Sequence, residues 1–257
     1  MRSTNPALND KTFARERVMA FDPSVLGSRP APPATMTLDG VVQKTVLLLI
    51  LLVASGAVGW STVHRTSETV SLPGWLGLAA VVAFGVAVVT IFRPRVARFT
   101  APAYAVLEGL VAGAVSALYE AAFHGIVLQA VVLTVGISVA LLAAFATGRL
   151  RVTERFRLVV VASTFAILAV YLFDLVARLF GSAIPFIHSA GPVGILFSLA
   201  VCAIASLNLV LDFDFIQRGI AAGTARHMEW YAGFAVCVHL VWLYLELLRL
   251  LSKLRGR

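Results

Sequence analysis

Residues 193–216, VGILFSLAVCAIASLNLVLDFDFI, decide the fold. From Val193 to Leu211 the chain carries no charged side chain, and then Asp212 and Asp214 close the run. An α-helix needs about 20 apolar residues to cross a bilayer. The stretch therefore reads as a transmembrane helix with two carboxylates near one end. The run is long and unbroken and lacks a period-2 alternation, which argues against strands.

Working outward, similar runs recur along the chain. Together they predict seven spans at about 41–61, 73–92, 102–122, 126–147, 156–180, 192–213 and 228–251. Composition agrees: 60% of the 257 residues are hydrophobic and 13% charged, whereas a soluble domain is about 45–50% apolar and about 25% charged. The expected fold is an all-α polytopic membrane protein with seven transmembrane helices. Residues 1–38 differ, with Arg2, Lys11, Arg15, Arg17 and Arg29 and the Pro-rich patch RPAPP. They read as a cytoplasmic, largely disordered tail with a short helix around Lys11–Met19, and 39–257 as the transmembrane domain. The first apolar run begins only after residue 40, which favours a retained span over a signal peptide.

Basic residues set the expected orientation. With the N-terminus in the cytoplasm, the inner loops carry Arg93, Arg95 and Arg98, then Arg149, Arg151, Arg155 and Arg157, then Arg218 and Arg226. The outer loops hold only Arg65 and the helix-end Arg178. This points to a multi-pass protein of the cell membrane. The C-terminal Arg249, Lys253, Arg255 and Arg257 fall outside under seven full spans, and a re-entrant seventh segment would return them inside. The net charge of +8 fits this bias and attraction to anionic lipid heads better than nucleic-acid binding. The bilayer is the expected partner, with no nucleic acid. Cys202 and Cys237 lack metal or redox spacing and read as packing residues. Gly109 and Gly113 form a GxxxG that lets a neighbouring backbone approach, within the bundle or across a dimer.

Ionisable groups at membrane depth carry free-energy costs and mark candidate sites. Asp174 with Arg178, and Glu246 with Arg249, sit at helical spacings that allow mutual neutralisation. Glu120 lies near the outer end of its span, where it faces water. Glu108 lies about two turns into the third span and is expected to point into the bundle. Asp212 and Asp214 point about 200° apart on a helix. Ser198, Cys202, Ala205, Asn208 and Asp212 form one small and polar stripe, so Asp212 faces the interior and Asp214 the cytoplasmic mouth.

The runs LNLVLDFDFIQRG and HMEWYAGFAVCVHLVWLYLELLRLL, with EGLVAGAVSALYEAAFHGIVLQAVVLT upstream, resemble helices of the Bax inhibitor-1/YccA family. The start MRSTNPAL is similar to that of a bacterial branch. The resemblance implies six helices around a central seventh. It also implies a pH-sensitive latch, one carboxylate on the sixth helix and one on the seventh, for a leak of cations, chiefly Ca²⁺. Asp212 matches the sixth-helix acid. If Arg249 is the basic residue that follows the seventh-helix acid, the matching position holds His239. Glu246, on the same face, is an alternative partner. An Asp–His pair attracts when the imidazole is charged, so its pH response differs from that of two carboxylates and can reverse. The expected gate or ion pathway comprises Asp212, His239, Asp214, Glu246, Arg249 and Glu108. Asp212 and Asp214 are candidate Ca²⁺ ligands, with Ca²⁺ as transported ion and no resident cofactor.

The resemblance also admits a non-transporting regulator that binds a membrane-embedded AAA protease, or a stress-protective modulator. An enzyme is not expected. The chain has no GxGD, no GxSG, no phosphate loop, no metal-ligand cluster and no Lys deep in the last helix.

Overall fold

The computed structural model describes residues 35–65, 70–71, 73–181 and 189–256. The tail reading falls on residues 1–34, outside them, as does His188. Seven long helices are present among the described residues: α1 (Leu38–Ser61), α2 (Leu76–Phe92), α3 (Ala97–Ala122), α4 (Ile126–Ala146), α5 (Glu154–Leu179), α6 (Pro192–Ala221) and α7 (Met228–Arg255). In hydrocarbon every backbone polar group must be satisfied internally, and a helix does that segment by segment. All but α2 are long and apolar enough to cross a membrane, and α2, with 17 residues, is a shorter apolar helix. The predicted runs are there, with several ends displaced. α6 continues past Phe213 to Ala221, and α3 begins at Ala97 and passes through Pro102.

Local chemistry fixes the helix ends. Thr37 Oγ1 accepts from Gly40 N at 3.1 Å to cap α1, and Thr153 Oγ1 accepts from Phe156 N at 3.2 Å to cap α5. Pro192 opens α6, where its missing N–H costs nothing. Gly125 (φ +76°) turns the chain between α3 and α4. There Glu120 accepts from Gly125 N at 2.5 Å and Val127 N at 3.2 Å, so the carboxylate caps α4 as well as facing water. The α1–α2 connection holds a minimal antiparallel ladder, β1 (His64–Arg65) against β2 (Val70–Ser71), which the absence of alternation in the long runs could not foretell.

The bundle is organised around α7, which packs on α1, α3, α4 and α6. α7 buries Ala232, Phe234, Cys237, Leu243, Leu247 and Leu248. Tyr244 Oη lies 2.6 Å from Ser116 Oγ on α3. α1 and α3 cross closely because glycines face each other. A Cβ on Gly113 would collide with the Gly56 backbone, and one on Gly109 with Leu52 and Ser55. The GxxxG face is thus filled by α1 of the same chain. Outward-facing Ile50, Phe84, Leu128, Leu158, Phe165 and Phe173 are exposed. Large exposed apolar faces are untenable in water and natural in lipid.

The two ends of the described chain lie at opposite ends of the bundle. Met36 N donates to Thr224 O at 2.7 Å, in the α6–α7 connection. Arg255 donates to His124 O at 2.8 Å, in the α3–α4 turn. α7 is one uninterrupted helix of 28 residues, about 42 Å long. The re-entrant alternative for the seventh segment is therefore not what forms.

Candidate functional site

The small and polar stripe on α6 is buried: Ser198, Cys202, Ala205, Asn208 and Asp212 all turn inward. Asp212 Oδ2 lies 2.6 Å from His239 Nδ1 on α7. Two helix interiors thus meet at an acid–base pair, with the Trp242 ring 6.4 Å from the imidazole. Asp212 is 7% exposed. Its carboxylate can keep a charge there only with a partner, and the imidazole supplies one.

Asp214 points elsewhere, as the 200° offset requires. Its Oδ2 meets Arg157 on α5 at 3.1 Å and Arg218, one turn along α6, at 2.6 Å. Glu246 accepts from Tyr171 Oη of α5 at 2.8 Å and from Arg249 at 2.7 Å. Arg249 also donates to Tyr171 Oη at 2.6 Å. Glu246 and Arg249 therefore form a separate site with α5. His239 and Glu246 are seven residues apart, about 10 Å along α7. Glu108 is half-buried on α3, one turn beyond Tyr104.

The candidate gate residues are thus distributed over several places in the bundle. Asp212 and His239 come together, Glu246 and Arg249 come together, and Asp214 and Glu108 stand apart. This bears on Ca²⁺, which takes six to eight oxygens. Asp212 is engaged by an imidazole and Asp214 by two guanidiniums. No group of three or more His, Cys, Asp or Glu side chains is gathered among the described residues. The arrangement does not assemble a Ca²⁺ cage from Asp212 and Asp214.

Sequence reasoning missed two buried charged groups. Glu229 is fully buried at the start of α7 and pairs with Lys44 of α1 at 2.6 Å. Thr37 donates to it from both N and Oγ1 at 3.0 Å. Gly40 makes room, since a Cβ there would strike the Glu229 carboxylate. Lys253, near the far end of α7, is also buried and donates to Gly194 O at 2.9 Å and Ser198 Oγ at 2.8 Å. The signal for Glu229 was its complement, a lone Lys44 inside an apolar run.

A bundle of membrane-length apolar helices around a last helix, with an acid–base pair buried where that helix meets the sixth, defines a multi-pass integral membrane protein. The chain belongs to the Bax inhibitor 1 like family, whose model matches residues 5–256. No curated protein and no solved structure matches it.

Proposed function

We propose that the protein is a pH-sensitive cation leak of the cell membrane, with its N-terminus in the cytoplasm and no enzymatic activity. Ca²⁺ is the cation that the family resemblance implies. The observation that carries the reading is the Asp212–His239 contact at 2.6 Å between α6 and the central α7. Imidazoles change charge between about pH 5 and 8. With the imidazole charged, the contact is an ion pair that holds α6 to α7. With it neutral, the contact falls to a hydrogen bond to a carboxylate, and the helices part more easily. Leak therefore rises as the imidazole loses its proton. A change of about 1.4 kcal/mol in latch strength shifts the open population about tenfold. The orientation is supported by the basic loops, which share the end of the bundle where α1 begins.

Ca²⁺ flux into liposomes holding the purified protein, from acidic to mildly basic pH, tests this. Wild type should leak with a pH dependence that Asp212→Asn abolishes. A leak equal to that of empty liposomes would sink the reading.

A second reading, a non-transporting regulator of a membrane-embedded AAA protease or of a stress pathway, is favoured by one observation. Met36 and Thr37, where the tail joins the bundle, are bonded to Thr224 and Glu229 at the head of α7. A partner on the tail would act on the central helix. Flux insensitive to Asp212→Asn, with phenotype lost on deleting residues 1–34, would favour it.

A further inference from the structure

α5 is held differently from its neighbours. Among its described residues only Val160 and Asp174 are buried. Its outer face, including Leu158, Phe165 and Leu172, is exposed and apolar. What ties it to α6 and α7 is largely a row of polar contacts at a strict seven-residue spacing. Arg157 binds Asp214 at 3.1 Å. Thr164 Oγ1 accepts from Asn208 Nδ2 at 2.8 Å. Tyr171 Oη donates to Glu246 at 2.8 Å and accepts from Arg249 at 2.6 Å. Seven residues advance a helix by about 10.5 Å and turn it by only about 20°. The three side chains therefore form one edge about 21 Å long.

The same seam receives Asn208 and Asp214 from α6 and Glu246 and Arg249 from α7. Polar contacts between transmembrane helices are individually weak, and α5 adds little buried apolar surface to them. In contrast, α1 and α3 are locked by backbone-to-backbone glycine packing. α5 is the wall that can leave, and its departure uncovers these polar side chains on α6 and α7.

We propose that α5 is the moving wall of the cation path, and that Arg157, Thr164 and Tyr171 line that path along the seam with α6 and α7. The inference rests on the leak reading for the path's purpose. The seam's opening to water can be measured without any flux.

The experiment uses the full chain in liposomes, with Cys202 and Cys237 replaced by alanine. Single cysteines are placed on the seam (Thr164→Cys, Tyr171→Cys) and on the lipid face (Phe165→Cys, Leu172→Cys). A membrane-impermeant, charged thiol reagent is applied from about pH 5 to 8, and modification is read by mass. Thiols react as thiolates and need water to form them. The seam cysteines should be modified at least about tenfold faster than the lipid-face pair at the pH of greatest leak, and their modification should block flux. Two seam positions keep the test alive if one variant does not fold. Seam rates no faster than lipid-face rates at any pH overturn the proposal. Flux without seam labelling also overturns it and leaves the leak reading standing. Labelling without flux supports the opening of the seam and overturns the leak.

Discussion

Removing Lys44 should destabilise the protein through the group it leaves behind. The Glu229 side chain is 1% exposed, and Lys44 Nζ lies 2.6 Å from its Oε2. At an effective dielectric of about 20 the Coulomb attraction at that separation is about 6 kcal/mol, before the cost of desolvating both ions. Breaking a buried pair by deleting one partner typically costs about 3–5 kcal/mol, because the other charge stays buried. Lys44 retains 16% side-chain exposure, and Arg226 remains 3.8 Å from Glu229. Both push the figure to the low end. Lys44→Met should therefore cost about 3 kcal/mol, or roughly 6–12 °C in Tm for a chain of this size. Glu229→Gln keeps an oxygen for Thr37 and leaves Lys44 close to water, so it should cost about 1 kcal/mol. The double variant should resemble Glu229→Gln alone and be more stable than Lys44→Met. Thermal unfolding of the detergent-solubilised protein measures all three. A Lys44→Met variant as stable as wild type, or a double variant as poor as the sum of the singles, would refute the buried-pair argument.

Gly113→Leu should strike the Gly56 backbone and spread α1 from α3, lowering stability by about 1–3 kcal/mol or more in the same assay. Gly136→Leu, with open space around the glycine, should not. Glu120→Ala removes the carboxylate that accepts from two backbone N–H groups at the head of α4 and should cost about 1 kcal/mol, with faster amide exchange at Gly125 and Val127. Tyr171→Phe leaves the Glu246–Arg249 pair in place and should cost about 1 kcal/mol in stability.

Much of the fold was legible because lipid imposes one rule on every span. A run such as Val193–Leu211 has no charge, and its backbone must close its own hydrogen bonds. The α6 stripe was equally legible, since helical spacing alone places Ser198, Asn208 and Asp212 on one face. Pairing between helices was harder to read. His239 met Asp212 as the family resemblance suggested. Lys44 signals a buried acid without saying which, because Glu229, 185 positions away, meets it only when α1 and α7 are packed. Lys253 read only as one of four C-terminal basic residues, since its burial depends on α6, which places Gly194 and Ser198 around it. The seven-residue series Arg157, Thr164 and Tyr171 was present in the sequence. It gained meaning only from Asp214, Asn208 and Glu246 standing opposite. The connection between α1 and α2 hid its small ladder, since two-residue strands carry no periodicity to detect.

The Asp212–His239 contact is the proposed pH-sensitive latch. The most direct measurement is the cation leak of wild type and His239→Asp in liposomes, across about pH 5–8. Wild-type leak should climb several-fold with pH as the ion pair loses a charge. His239→Asp should close only at the acidic end and leak more than wild type at pH 8, because two ionised carboxylates repel. Identical profiles in the two proteins, or a wild-type leak that does not vary with pH, would contradict the account.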